Sequence, residues 1–174
     1  MSCAWKDSKC RIGLIIGTGT NACYLEDIDN VELWDGDSGE PRHVIINTEW
    51  GGFGDNGELD FIRTKWDLSV DEGSLNPGSQ TFEKMISGMY MGELVRMVVV
   101  DMMEEGLMFN GHKNTQPLRT PGSFPTKYLS EIEADPVGEF DRCRSVLSQL
   151  GMENIGVDDL SALRYICECV SRRQ

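Results

Sequence analysis

The sequence predicts an α/β domain, because short β-runs fill its first fifty residues and helical periodicity dominates the remainder of the chain. Three observations carry that expectation. Ile12, Leu14, Ile15 and Ile16 form an apolar run of strand length that enters Gly17-Thr-Gly-Thr20. Val44, Ile45 and Ile46 make a second β-branched run. From residue 79 to 105, apolar residues recur with the 3.6-residue rhythm of a buried helical stripe.

Taken in order, the run 12–16 has the pattern of a strand buried on both faces. Gly17, Thr18, Gly19 and Thr20 then offer backbone N–H groups and two hydroxyls with no bulky side chain in the way, which suits a polyphosphate. The same four residues also suit an ordinary hairpin turn. Residues 22–27 leave the turn as a strand, Val31 to Trp34 give another short β-run before the acidic turn 35–40, and His43 to Asn47 supply the next strand. The result is an antiparallel meander of three or four strands. It ends in Asn47-Thr-Glu-Trp-Gly-Gly-Phe-Gly54, where Glu49, a carboxylate at a strand's end beside glycines, is placed for ligand contact. The acidic stretches 35–40 and 55–58 lack the full ligand alternation, closed by a late Glu, of a calcium loop.

After Asp60 the pattern turns helical through Phe61, Ile62 and Trp66, followed by a loop carrying Asp71, Gly73, Asn76, Pro77 and Gly78. A single long helix is expected over 79–105, with Gly106 as its C-terminal stop. Gln80 and Glu83, three apart in its first turns, share a face. They suit either a common ligand or a solvated position at a helix N-terminus, which favours negative charge. Beyond a loop at 110–125, helices are expected over Thr126 to Glu133, 138–150 and 158–172. The last puts Leu160, Leu163, Ile166, Cys167 and Val170 on one side and stops without a capping signal, as if cut mid-element.

Composition narrows the partners. Lys and Arg total 16 against 29 Asp and Glu, a formal charge of −13, which opposes a sequence-independent grip on nucleic acid or on an anionic membrane. An anionic ligand would be held locally, by backbone amides, hydroxyls and a divalent cation. Cys3, Cys10, Cys23, Cys143, Cys167 and Cys169 contain no Cys-x-x-Cys pair, and His43 and His112 stand apart from them, so a zinc site is not expected. The thiols read as reduced and cytoplasmic. Lys6, Asp7, Lys9 and Arg11 interrupt any signal-peptide pattern, and no apolar run approaches the ~18 residues of a membrane span.

Three blocks carry a resemblance: Cys3 to Tyr24, Ile46-Asn-Thr-Glu-Trp-Gly-Gly-Phe-Gly-Asp55, and Ser74 to Arg96. They resemble consecutive blocks of the large domain of the hexokinases, sugar kinases of the actin-like ATPase, ribonuclease H-like fold, and the similarity runs from Cys3 to Arg173. The resemblance implies that residues 1–174 are an incomplete large domain, with the small domain and its catalytic Asp preceding Met1 and the end of the large domain following Gln174. It assigns no catalytic residue and no metal ligand to this chain. It implies that Asn21, Glu49, Gln80 and Glu83 bind the hydroxyls of glucose or another hexose. That chemistry is apt, since a carboxylate accepts two hydroxyl donors while Asn and Gln both donate and accept. For ATP it implies Thr18 with Gly17 and Gly19, then Gly88, Met89, Thr126, Lys127 and Ser130; Pro121 and Pro125 depart from the family's pattern in that last loop. The implied activity is transfer of the γ-phosphoryl group of ATP to the hexose 6-hydroxyl, with Mg²⁺ bound through the nucleotide. The isolated chain would be inactive. A non-catalytic, sugar-binding or regulatory half of a duplicated hexokinase is the alternative. A different ATPase of the same fold has no use for Glu49, Gln80 and Glu83 together.

Overall fold

Three antiparallel strands lead into a body of packed helices in the computed structural model, which describes residues 9–36, 42–112 and 114–174. Strands β1 (Ile12–Ile16), β2 (Thr20–Asp27) and β3 (His43–Asn47) lie side by side in chain order, with Ile15 opposite Asn21 and Cys23 opposite Asn47. Residues 17–19 form the β1–β2 hairpin turn, closed by the Gly17 amide donating to the Gly19 carbonyl at 2.9 Å. β1 was expected to be buried on both faces but forms an edge of the sheet, and Ile12, Leu14, Ile15 and Ile16 are 40% to 67% exposed. The β-run expected at Val31 to Trp34 does not form. The amides of Val31 and Trp34 donate to Ile28 and Val31 carbonyls in successive local turns, which takes them out of any ladder, and Leu33 is 94% exposed.

Helix α1 (Lys65–Glu72) starts later than the apolar spacing suggests, because Thr64 and Asp67 form a reciprocal capping box and fix its first turn there. Phe61 and Ile62 therefore lie in the preceding turn, and Asp71 belongs to the last turn of α1 rather than to a loop. The long helix expected over 79–105 is two helices, α2 (Thr81–Ile86) and α3 (Gly88–Glu104), broken at the extended Ser87 (φ −84, ψ 150). The Ser87 amide closes α2 on the Glu83 carbonyl at 2.8 Å, while the Gly88 and Met89 amides donate to the Gly17 and Thr18 carbonyls at 2.7 and 3.1 Å. The first amides of a helix have no intrahelical partner, so the break lets the hairpin turn satisfy those of α3. Gly106, at φ +70, ends α3 as expected.

The remaining helices are α4 (Gln116–Arg119), α5 (Thr126–Glu133), α6 (Asp141–Gln149) and α7 (Val157–Ser171). Their apolar faces meet α3 in one core in which Val95, Leu118, Ile132, Val146, Leu160 and Leu163 are wholly buried. Each large aliphatic side chain there contributes roughly 1.5–3 kcal/mol, so the helical body is the rigid part against which the hairpin and loops are set. Between α1 and α2 lies a buried ion pair: Lys84 Nζ donates to Asp71 at 2.6 Å and to the Asn76 carbonyl at 2.7 Å, and Arg63 joins Asp71 at 3.3 Å. Among the described residues, no helix is long and apolar enough to cross a membrane.

Candidate functional site

The β1–β2 hairpin, the loop after β3 and the first turn of α2 converge on one cluster of polar side chains. Beyond Asn47 the chain stays alongside β2, because the Thr48 amide and hydroxyl both donate to the Ala22 carbonyl at 3.0 and 2.8 Å. Glu49 is thereby set beside Asn21. Asn21 Nδ2 donates to Asn47 Oδ1 at 2.8 Å and reaches Glu49 Oε1 at 3.4 Å, and Asn47 Nδ2 donates to the same Glu49 oxygen. Glu49 Oε2 has no partner among the described residues and faces solvent. Trp50 ties this loop to the hairpin through its indole N–H, which donates to Thr20 Oγ1 at 3.0 Å.

From the other side, Glu83 Oε2 accepts the Thr20 amide at 2.9 Å. Gln80 precedes α2 and lies against Gly51, where a Cβ would collide with its Oε1. All four residues expected to bind sugar are thus brought together: Asn21 with Glu49, Gln80 against the loop that carries Glu49, and Glu83 against the residue before Asn21. Glu49 (φ 47) and Gln80 (φ 61) are both non-glycine residues in the left-handed region. Such backbone strain costs of order 1–3 kcal/mol and persists where surrounding structure imposes it, typically at functional sites. Two carboxylates and two amides on one surface offer many acceptors with a few donors, which is the complement of a ring of hydroxyls.

The residues expected to meet ATP lie at the far side of the same turn. Thr18 is exposed, and neither its hydroxyl nor the amides of Thr18 and Gly19 have a partner among the described residues. The hairpin and phosphate-facing readings are therefore compatible, since closing the turn uses the Gly17 amide and leaves the next two free. Gly88 and Met89 brace the turn through their amides, and a Cβ at Gly88 would come within 3.0 Å of the Gly17 carbonyl oxygen. The Thr126 hydroxyl donates to the Gly88 carbonyl and accepts the Gly92 amide at 2.9 Å, inserting into the i to i−4 ladder of α3. This docks the N-terminus of α5 on that of α3, where backbone dipoles favour an anion. Lys127 and Ser130 are exposed on α5 and make no side-chain hydrogen bond to the turn among the described residues.

The family model described as Hexokinase matches residues 11–174. The chain belongs to the hexokinase family. It is 50% identical over 173 residues to the mouse protein Hexokinase HKDC1 and 51% identical to rat Hexokinase-1, in each case over 99% of this chain and 18% of the relative. A solved structure of a hexokinase from Schistosoma mansoni complexed with glucose superposes with a TM-score of 0.89 at 45% identity, covering 99% of this chain and 38% of that one. A second hexokinase crystal structure matches with a TM-score of 0.71 at 30% identity, over 94% of this chain and 33% of that one. The chain spans less than a fifth of the length of these curated relatives. The α/β fold is accordingly a portion of the actin-like ATPase architecture of hexokinases.

Within this hexokinase segment, some residues that build the site carry no obvious sign in the sequence. Asn47 and Trp50 orient Glu49 and Thr20, yet read as the end of a strand and an ordinary aromatic. Asp55 looks like part of an acidic turn, but its carboxylate accepts the amides of Gln80 and Thr81 at 3.0 and 2.8 Å. Gly92 did leave a signal: it stands four residues after Gly88, so both lie on one face of α3. That face is where backbone approaches from the hairpin turn and from residues 124–126.

Proposed function

We propose that this segment forms the hexose-binding wall and the phosphate-facing turn of an enzyme that transfers the γ-phosphoryl group of ATP to the 6-hydroxyl of glucose or a related hexose. The observation that carries the reading is the placement of Asn21, Glu49, Gln80 and Glu83 directly beside a turn whose Thr18 and Gly19 amides have no partner among the described residues. Its support from relatives is the likeness to a hexokinase complexed with glucose.

In this reading Glu49, anchored through Oε1, accepts sugar hydroxyls at its unpartnered Oε2, and Glu83 does so at Oε1. Asn21 and Gln80 supply donors. The Thr18 hydroxyl and the Thr18 and Gly19 amides stabilise charge on the moving phosphoryl group, and Gly88 and Met89 keep that turn in place. Asn21 lies two positions beyond Gly19, about 6–7 Å along a strand, so the sugar and the phosphates are held within reach of each other. Catalysis of phosphoryl transfer is mostly such positioning plus electrostatics. Among the described residues, no three metal-ligating side chains converge. Mg²⁺ would enter bound to the nucleotide, where it neutralises phosphate charge. The base that takes the sugar proton is assigned to a segment outside these 174 residues. The free thiols of Cys23, Cys143 and Cys167 suit a reducing, cytoplasmic setting.

The deciding experiment places residues 1–174 in a full-length hexokinase as its matching segment and titrates glucose calorimetrically against Glu49→Gln and Glu83→Gln. Each is expected to weaken binding roughly ten- to hundredfold, the scale of a charged hydrogen bond of about 1.5–3 kcal/mol. Unchanged glucose affinity in both variants would refute the assignment.

A further inference from the structure

Glu49 and Glu83 belong to different segments, so their separation depends on whatever joins the loop after β3 to the start of α2. At that junction Gln80 stands in a left-handed conformation with no side-chain cap of its own. The amides that open α2 are taken instead by a carboxylate from the other segment: Asp55 Oδ2 accepts from Gln80 at 3.0 Å and Oδ1 from Thr81 at 2.8 Å. Two acceptors on one planar group fix rotation as well as distance, and the Phe82 amide on the Phe53 carbonyl at 3.1 Å continues the same seam. Behind α2, Asp71 takes the Gly78 amide and the Lys84 ammonium, which holds residues 76–84 to α1 but does not touch the loop that carries Glu49.

We propose that Asp55 is a positioning residue for hexose binding, acting through Gln80 and Glu83 by fixing the left-handed turn and the approach of α2 to the loop that carries Glu49. The proposal rests on the reading of Glu49, Gln80 and Glu83 as hexose ligands. The carboxylate is suited to the task as an anion: burial works against its ionisation, but the hydrogen bonds from Thr81 and Gln80 outweigh it and hold the Asp55 carboxyl below the usual range. An amide at this position would be no substitute, since one of its two ends is a donor and would face an N–H.

The test uses the same full-length hexokinase carrying residues 1–174 and compares Asp55→Asn and Asp55→Ser with Glu49→Gln and Glu83→Gln. Glucose dissociation constants, Michaelis constants for ATP and thermal midpoints are measured for each. Asp55→Asn is expected to raise the glucose dissociation constant at least tenfold while the Michaelis constant for ATP stays within twofold. Asp55→Ser, which keeps an acceptor and adds no misplaced amide, should fall between Asp55→Asn and wild type, and it decides the matter alone if Asp55→Asn does not fold. Normal glucose affinity in both Asp55 variants, with weakened affinity in the glutamate variants, overturns the proposal and leaves the glutamate assignment standing. Glucose and ATP constants that worsen together with a lowered thermal midpoint also overturn it, since that is the signature of a general structural cap. Normal glucose affinity in the glutamate variants as well would instead bring down the reading on which the proposal rests.

Discussion

The backbone amide of Thr20 donates to Oε2 of Glu83 at 2.9 Å, so the residue that leaves the glycine-threonine turn also holds a carboxylate of the candidate sugar wall. The two halves of the site are therefore mechanically one. This arrangement needs Gly19, because a Cβ there would lie 2.7 Å from the same carboxylate oxygen.

Gly19→Ala is accordingly expected to separate binding from stability. The atom it displaces is the far end of a flexible side chain, so the fold yields cheaply, by less than about 1 kcal/mol. Glu83 must leave the Thr20 amide, and glucose affinity should drop by about tenfold, near 1.4 kcal/mol. Calorimetric titration alongside thermal melting of the full-length hexokinase carrying residues 1–174 checks both halves, and unaltered glucose affinity would show that Glu83 does not face the sugar.

Gly92→Ala should fail in the opposite way. A Cβ at Gly92 would lie 2.5 Å from the Thr126 nitrogen and closer still to the Phe124 carbonyl oxygen. Both are backbone atoms and cannot swing aside, so α5 would be pushed off α3 and the Thr126 hydroxyl drawn out of the helix ladder. A loss of about 3 kcal/mol or more is expected. Gly156→Ala, which meets nothing within 4 Å, serves as the control with a near-native melting temperature.

How far the sequence reveals this arrangement depends on whether each signal is local. The α5 bounds and the buried side of α7 are legible because apolar periodicity is carried by neighbouring residues. The break at Ser87 is not, since its cause is a pair of carbonyls some seventy residues earlier, at Gly17 and Thr18. Nor is the start of α1, where the Thr64–Asp67 box outweighs the apolar spacing of Phe61, Ile62 and Trp66. The exposure of β1 is set by the sheet around it rather than by its own residues. In the site, Glu49 stands out as a carboxylate among glycines, whereas Asp55 has a role only through the amides of residues 80 and 81.

Acid should loosen the contacts of α1 with α2 and with Arg173 beyond α7 in a predictable sense. Burial opposes ionisation of Asp71 and Asp67, but Lys84 and the Gly78 amide in one case, and Arg173 and Thr64 in the other, hold both carboxyls below the ordinary value. A folded-state pKa below the unfolded value of about 3.9 means that this stabilisation is complete above that pH and is lost as pH falls through the lower folded values. Asp71→Asn should lower stability at neutral pH by about 3 kcal/mol, since it leaves the buried Lys84 uncompensated, and should flatten the acid limb of the stability curve. Melting temperatures of the full-length hexokinase carrying residues 1–174, tracked from neutral pH to below the folded pKa values, check this. An acid limb as steep as in the wild type would remove Asp71 from the account.

The last prediction concerns the 174 residues in isolation. Ile12, Leu14 and Ile45 are 67%, 54% and 66% exposed, and a groove of about 310 Å³ lined by Trp66, Leu94, Val98, Met102 and Ile166 stands open between α3 and α7. Apolar surface left in water forgoes roughly 25 cal/mol per Å², and a few hundred Å² is comparable with the 5–15 kcal/mol net stability of a whole domain. The helices persist while their packing loosens, so strong helical far-UV dichroism is expected together with binding of a hydrophobic dye, self-association and weak near-UV signal. The same preparation is expected to phosphorylate no glucose, because the proposed reading assigns the base to a segment outside these residues. Turnover above background would mean that Glu49 or Glu83 takes the sugar proton. A sharp thermal transition from a monomer without dye binding would mean that the exposed strand faces need no further cover.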